Sequence, residues 1–171
     1  MTDEPEPLRY TGHLIRRAQQ RHAALWQEQV SGEVSSVQYA ALAVLKRMPG
    51  ASQSELGAEL DLDRSTIADI VSRLERRGVI ERSPHEIDRR RYSLRLTAAG
   101  LSEVDQLRPL VTEANASLTA GLSAEEVATL RTLLQRVLGH DAEDPAMNNG
   151  PLNMVRPEGF EPPAYWRSIE F

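Results

Sequence analysis

The 171-residue sequence contains no cysteine. Disulfides, thiolate metal sites, thiol nucleophiles and cysteine-based redox sensing are therefore all excluded. The sequence also lacks an apolar run long enough to cross a bilayer, and its first seven residues are acidic rather than apolar as in a secretory signal. We therefore expect a cytoplasmic protein that does not associate with a membrane.

A catalytic or metal-binding constellation is also lacking. His13 and His22 are nine residues apart on the first predicted helix, His85 and His140 lie elsewhere, and no two of the four have the one-turn spacing of a helical metal site. No nucleophile, base and orienting acid can be assigned from spacing alone. We therefore predict that the protein is not an enzyme and needs no metal or cofactor, with a small hydrolytic enzyme as an open alternative.

Positive charge is concentrated in one segment of an acidic chain. The formal net charge is −5, but residues 64–95 contain nine arginines against five acidic residues, a net +4, so the rest of the chain carries −9. Such a basic island in an acidic body is typical of a surface that binds a polyanion selectively. The distribution favours nucleic acid as a partner although the total charge does not.

Apolar residues at helical spacing, with capping residues before them, predict six helices. The predicted ranges are 8–30, 36–48, 53–60, 64–77, 98–118 and 124–138. Two short strands, 79–83 and 92–97, flank a polar turn that contains Pro84 and form a hairpin. Residues from 140 onward show no periodicity and are left without secondary structure.

This order of elements predicts a mainly α fold with a small β-hairpin wing (α+β), a winged helix-turn-helix. In this arrangement the helix over 64–77 enters the major groove of DNA, and the hairpin reaches along the backbone. The predicted core comprises Leu42, Leu45, Leu56, Leu60, Leu62, Ile67, Ile70, Val71, Leu74, Ile80 and Leu94.

Three segments carry a resemblance to a known family: DRSTI at 63–67, LERRG at 74–78 and DRRRYSLRLT at 88–97, followed by Gly100. Over residues 14–138 the chain resembles the multiple antibiotic resistance regulator (MarR) family. The resemblance implies a homodimer whose first and last helices interlock, with two recognition helices in successive major grooves. It also implies a small-molecule site between the dimer stem and the winged domain.

The resemblance and the predicted elements together divide the chain into four parts. Residues 1–35 form an N-terminal dimerisation helix, 36–97 the winged helix-turn-helix DNA-binding domain, and 98–139 the C-terminal dimerisation helices. Residues 140–171 are expected to be a disordered tail. Because segment 156–163 (RPEGFEPP) resembles the peptide encoded when a reading frame runs into a transfer-RNA gene, we interpret the tail as accidental coding. A flexible proline-rich tail with a role of its own, or a docking strand that uses Phe160, Tyr165 and Trp166, is the alternative.

The first turn of the fourth predicted helix contains Arg64, Ser65 and Thr66, which we predict to contact DNA. Arg64 would contact a guanine edge or a phosphate. An ordinary polar first turn, in which Ser65 and Thr66 only support the helix cap, is the open alternative. Asp69, on the same helix, is expected to point aside.

The predicted wing contains Asp88, Arg89, Arg90 and Arg91. A carboxylate two residues from a guanidinium can hold its planar fork in one orientation, so Asp88 is expected to orient Arg90 toward the minor groove or a phosphate. Arg89 and Arg91 are expected to contact phosphates. A turn-forming aspartate beside a solvated arginine is the alternative.

A ligand site is expected along the first helix and the start of the second, the region that borders the effector pocket in the resembled family. His22 interrupts an otherwise apolar stripe there, and a cation beside a flat apolar wall would suit a planar carboxylate. The predicted ligand residues are His13, Arg16, Arg17, His22, Trp26 and Tyr39. A stripe that is only dimer core, with a hydrogen-bonded histidine, is the alternative.

The sequence as a whole predicts a sequence-specific DNA-binding transcriptional regulator. We expect a homodimeric repressor that binds a palindromic operator in double-stranded DNA and is released by a small aromatic acid or phenol. A winged-helix module that makes protein contacts without an effector is the alternative. The cluster of Arg64 with Arg89, Arg90 and Arg91 favours DNA, because a protein-binding wing has no need of it.

Overall fold

A computed structural model describes residues 6–84 and 92–139 of the chain. After a short 3-10 turn at Glu6–Arg9, the described part consists of helices and two strands. In chain order they are α1 (Thr11–Gln29), α2 (Ser36–Arg47), α3 (Gln53–Leu60), α4 (Arg64–Arg76), β1 (Ile80–Pro84), β2 (Tyr92–Leu96), α5 (Ala98–Leu118) and α6 (Ala124–Val137). Each predicted helix is present, with boundaries within a few residues of those expected.

Side-chain caps set the starts of α2 to α6, as the sequence predicted. Ser35, Ser52 and Ser123 each form a capping box, in which the serine accepts from the third backbone amide and a Gln or Glu side chain accepts from the serine amide. Asp63 and Thr97 cap α4 and α5 with their side chains. These interactions satisfy amide donors that the helices cannot bond internally.

The strands β1 and β2 pair antiparallel, with Ile80 opposite Leu96 and Pro84 opposite Tyr92. Pro84 was expected in the turn but belongs to β1, where the end of a strand tolerates the missing amide donor. The loop before α3 pairs with the other edge of β2: the Gly50 amide donates to the Leu94 carbonyl at 2.8 Å, and the Leu94 amide donates to the Ala51 carbonyl at 2.9 Å. This second pairing ties the wing to the helices.

The core lies between α2, α3, α4 and the hairpin. Nine of the eleven predicted core residues are buried, whereas Leu60 and Leu62 are only partly buried and pack against the cluster from its edge. The core also includes Val104 of α5, which is 1% exposed. The long helix therefore packs directly on the winged domain.

Two ion pairs join the winged domain to α5. Lys46 Nζ lies 2.5 Å from Asp105 Oδ1, and Arg77 Nη2 lies 2.5 Å from Glu103 Oε1. The helix α1 packs along α5. The helix α6, in contrast, buries none of its residues. Among the described helices none is long and apolar enough to cross a membrane.

Candidate nucleic-acid interface

The start of α4 is organised by Asp63. Its Oδ1 accepts from the backbone amides of Ser65 at 2.8 Å and Thr66 at 3.0 Å. Both hydroxyls also donate to this carboxylate, and the Thr66 hydroxyl lies 2.5 Å from Asp63 Oδ2. These hydrogen bonds hold the pKa of Asp63 well below its ordinary value, and the bonds from the two hydroxyls contribute most. Ser65 and Thr66 thus support the cap, and both residues are exposed.

Arg64 is exposed, and its guanidinium makes no ion pair within residues 6–84 and 92–139. It occupies the first position of α4, at the positive end of the helix dipole. The structure therefore brings together the three residues predicted at the start of this helix. The arrangement suits contact with phosphates and base edges.

The buried side of α4 consists of Ile67, Ile70, Val71 and Leu74. At about 100° per residue, the opposite side presents Ser65, Asp69, Ser72 and Arg76, all of which are exposed. Asp69 thus lies at the centre of the outward side, whereas the sequence suggested that it points aside. Arg73 and Arg76 are also exposed on this side. Arginines late in a helix are equally typical of its C-terminal end, to which the sequence alone assigns Arg76.

Asp88, Arg89, Arg90 and Arg91 of the predicted wing lie outside the described residues. The strands that lead into the wing are described, and an arginine near their outer ends contacts an aromatic ring and an acidic side chain. Arg82 on β1 lies 5.5 Å from the ring centre of Tyr92 on β2 and 3.5 Å from Glu75 of α4. The ion pair links the hairpin to α4.

Three of the six predicted ligand residues form one aromatic cluster. The ring centres of His22 and Trp26 are 5.9 Å apart, and those of Trp26 and Tyr39 are 5.8 Å apart, both pairs tilted. Trp26 is 6% exposed, and its indole N–H donates to the Val34 carbonyl at 2.6 Å. This hydrogen bond fixes the indole plane beside the half-buried His22 and Tyr39.

The other three predicted ligand residues do not join this cluster within one protomer. His13 precedes His22 by nine residues, which is about half a turn around α1 and about 13 Å along its axis. Arg16 and Arg17 point more than 90° away from His22 by the same geometry, and both are exposed. Within one chain, the aromatic wall and the predicted cations are therefore separate.

A cavity of about 350 Å³ lies on the other side of Trp26, between the end of α1, the loop into α2 and Arg73. Its lining is mainly polar and includes neither His22 nor Tyr39. Of the six predicted ligand residues, the cavity shares Trp26 alone. Among the described residues, no group of three histidine or acidic side chains could hold a metal ion.

Residues 34–92 match the model of the MarR family. The transcriptional repressor NicR of Pseudomonas putida is 33% identical over 131 residues, which cover 76% of this chain and 83% of NicR. A transcriptional regulatory protein of Thauera aromatica, named for the hcr operon, is 39% identical over 108 residues. That match covers 63% of this chain and 65% of the Thauera protein, just under two thirds of its length.

Solved structures give the same result. PcaV of Streptomyces coelicolor with its natural ligand is 41% identical, with a TM-score of 0.76 over 80% of this chain and 97% of PcaV. A MarR variant of Escherichia coli with operator DNA is 31% identical (TM-score 0.70; 74% and 92% covered). BpsR of Bordetella bronchiseptica, whose DNA binding is regulated by 6-hydroxynicotinic acid, is 27% identical (TM-score 0.69; 74% and 97% covered).

The matched segment spans the winged helix-turn-helix, and the structural matches extend over the flanking helices as well. Sequence identity above 30% over most of NicR and PcaV agrees with the fold and with the capped recognition helix. The chain belongs to the MarR family of winged-helix transcriptional regulators.

Proposed function

We propose that this protein is a repressor that binds a palindromic operator as a homodimer and releases it when a small aromatic acid or phenol binds. The observation that carries the DNA-binding part is the start of α4. Arg64, which has no ion pair among the described residues, stands there beside the Asp63 cap, at the exposed end of a helix whose other side is the domain core. The MarR structure with operator DNA supports the same assignment.

The Asp63 cap determines what its neighbours can offer to DNA. The hydroxyl hydrogens of Ser65 and Thr66 are donated to Asp63, so the hydroxyl oxygens face outward as acceptors. Acceptors match the exocyclic amino groups of cytosine and adenine in the major groove. Arg64 supplies donors for a guanine or a phosphate. We infer that α4 reads base edges, while Arg89, Arg90 and Arg91 of the wing bind phosphates or the minor groove, with Asp88 orienting Arg90.

The dimer is proposed from uncovered apolar surface. Four apolar residues of α6 are 39–67% exposed in the single chain, namely Leu130, Leu133, Leu134 and Val137, and Leu14 and Ile15 of α1 are similarly exposed. Contiguous apolar surface of this kind marks an association surface. We therefore assign residues 1–35 and 98–139 to dimerisation and 36–97 to DNA binding. Two copies would then present two recognition helices to one palindrome.

The test of DNA binding combines a mobility shift on the DNA upstream of the gene with light scattering of the free protein. We expect a dimer that shifts this DNA and not an unrelated duplex at equal salt. Arg90→Ala should weaken binding strongly to every sequence. Arg64→Ala should also relax base preference at one position of each half-site, by about 1–3 kcal/mol. A monomer that ignores both duplexes at low salt would refute the proposal and favour a protein-binding module.

The effector part rests on the cluster of His22, Trp26 and Tyr39. The indole and phenol rings supply flat apolar walls, and an imidazole can pair with a carboxylate or a phenol. BpsR, whose DNA binding responds to 6-hydroxynicotinic acid, supports this ligand class. Because His13, Arg16 and Arg17 lie away from His22 in one protomer, we assign His22 the central polar role. A cation from α1 would reach the ligand only from the second copy.

The release mechanism requires a ligand that prefers a dimer whose recognition helices are wrongly spaced for DNA. A preference of about 1–3 kcal/mol is a typical coupling energy. Ion pairs Lys46–Asp105 and Arg77–Glu103 connect the winged domain to α5, so a movement of the stem would carry α4 with it. Lys46 and Arg77 are thus the proposed links between ligand and DNA sites.

The effector is tested by titrating benzoate, hydroxybenzoate, hydroxycinnamate and nicotinate analogues, with their coenzyme A thioesters, against the protein–DNA complex. We expect at least one to dissociate it, and His22→Ala to abolish the response while DNA affinity is kept. Arg16→Ala and Arg17→Ala measure whether a cation of α1 takes part. If no compound dissociates the complex, or if His22→Ala responds like the parent, the ligand site is wrong although the DNA-binding assignment stands.

A further inference from the structure

Asp69 occupies an unusual place for an acidic residue in a helix proposed to face DNA. It lies at the centre of the outward side of α4, opposite the buried Ile67 and Val71. A carboxylate there accepts hydrogen bonds but donates none, and the DNA polyanion repels it. A carboxylate at this position therefore lowers affinity for DNA in general. Any favourable effect of Asp69 on DNA binding must act through a residue that it contacts.

The neighbour that Asp69 contacts is Arg73, one turn further along α4. Arg73 Nη2 lies 2.8 Å from Asp69 Oδ2, and both side chains are more than half exposed. The acid precedes the base by four residues, the favourable orientation for such a pair in a helix. Exposed Ser65, Ala68 and Ser72 flank the pair, and their small side chains leave room for a base edge to approach it.

We propose that Asp69 is a positioning residue that aims Arg73 at a guanine in the major groove and thereby sets the base preference of α4 at one position of each half-site. This inference rests on the proposed function of α4 in DNA binding. A guanidinium is a rigid fork with five donors. The bond to Asp69 occupies one hydrogen on Nη2, which leaves one hydrogen on Nη2 and two on Nη1 to meet the O6 and N7 acceptors of guanine.

The same pair gives a reason for selectivity. Without a guanine, the approach of DNA would bring the Asp69 carboxylate toward phosphates and base acceptors with no gain from Arg73. A repulsive group that only the correct partner compensates discriminates against other sequences. Asp69 therefore weakens binding to unrelated DNA and strengthens the preference for one base pair.

The experiment measures fluorescence anisotropy of a duplex selected by the wild-type protein, of its single-base variants and of an unrelated duplex, all at one salt concentration. The proteins are wild type, Asp69→Asn, Arg73→Ala and the double variant. Glu113→Gln, on the exposed surface of α5, is the matched control for loss of one negative charge. Circular dichroism checks that each variant is folded, which is expected because both residues are exposed.

We expect Arg73→Ala to lose about tenfold or more discrimination at one guanine and little elsewhere. Asp69→Asn should reduce discrimination at the same guanine several-fold and bind the unrelated duplex more tightly than Glu113→Gln does. In the double variant, which lacks Arg73, the Asp69→Asn change should cause no further loss of discrimination at that guanine. An unchanged base profile in Asp69→Asn, or an equal effect with and without Arg73, would overturn the inference. If the wild-type protein itself does not distinguish the two duplexes, the proposed function fails instead.

Discussion

Asp63 ends the turn between α3 and α4 and accepts hydrogen bonds from two backbone amides and two hydroxyls. These bonds stabilise the ionised carboxylate and lower the pKa of Asp63 in the folded protein. The same carboxylate holds Ser65 and Thr66 in the orientation proposed to face DNA. One side chain thus links helix stability to the geometry of the interface.

Because of Asp63, the folded protein should become less stable as the pH is lowered through the acid range. Its pKa is about 3.9 in an unfolded chain and lower in the folded one, so its contribution is fully present well above pH 4 and is lost as pH falls from about 4 toward the folded pKa. We expect Asp63→Ala to melt about 2–4 °C below wild type at pH 7. The difference should shrink at pH 3, as followed by circular dichroism.

Asp63→Asn is the matched control, because its amide oxygen can still cap α4 but cannot titrate. The pKa values of Asp105 and Glu126 are also lowered, by a hydrogen bond from Lys46 and by the backbone amide of Ser123. Both groups are present in every variant, so their contributions cancel in the comparison. A Tm difference between wild type and Asp63→Asn that stays constant from pH 7 to pH 3 would contradict the role of Asp63.

Local signals in the sequence were sufficient for the helices and for part of the site. Ser52 and Glu55, or Ser123 and Glu126, lie three residues apart, so each capping box is visible without knowledge of the rest of the fold. The aromatic cluster followed from the family resemblance. The outward position of Asp69 could not be predicted, because it depends on which residues of α4 are buried.

Contacts between distant parts of the chain could not be predicted. The loop at Gly50 pairs with Leu94, and Arg77 pairs with Glu103, but nothing at either position specifies a partner 26 or more residues away. The uneven burial of the predicted core has the same cause. Leu60 and Leu62 have the apolar character of core residues, yet they lie at its edge, where α3 turns into α4.

The junction of the hairpin with α5 depends on Gly100. Thr97 donates its hydroxyl to the Gly78 carbonyl at 2.7 Å and accepts from the Gly100 amide at 3.2 Å. This geometry presses the first turn of α5 onto the backbone before β1. A Cβ on Gly100 would lie 2.0 Å from the Val79 carbonyl oxygen, so no side chain fits without a shift of the backbone.

Gly100→Ala should therefore destabilise the protein by about 1–3 kcal/mol or more, because the clash is with backbone rather than with a flexible side chain. The measurement is the free energy of unfolding from urea titration. Gly121→Ala is the matched control, since a Cβ there meets nothing within 4 Å and φ is not in the left-handed region. Equal stability of the two variants would show that the close approach of α5 to Val79 is not maintained in solution.

The exposed apolar side of α6 makes a prediction about the assembly. Leu130 and Leu134 are 39% and 40% exposed in one chain, and α6 has no buried residue. If a second copy covers them, light scattering should give twice the 19.1 kDa mass of one chain. The variant with Leu130→Glu and Leu134→Glu should then dissociate, because the dimer would bury two charges without partners.

Gln135→Glu adds one negative charge to the opposite side of the same helix and is the matched control. We expect it to remain dimeric. A double leucine variant that keeps the dimeric mass would contradict the assignment of α6 to dimerisation. A wild-type protein with the mass of one chain would contradict the dimer itself.

Sequence-specific DNA binding by two recognition helices is most directly tested by selection from a library of random duplexes. Two α4 helices in successive major grooves require half-sites about 10–10.5 base pairs apart, centre to centre, or a multiple of that distance. We therefore predict that the wild-type protein enriches an inverted repeat with this spacing, and that Arg64→Ala enriches one with relaxed preference at a single position of each half. Enrichment of an unrepeated motif, or of no motif at all, would contradict the account.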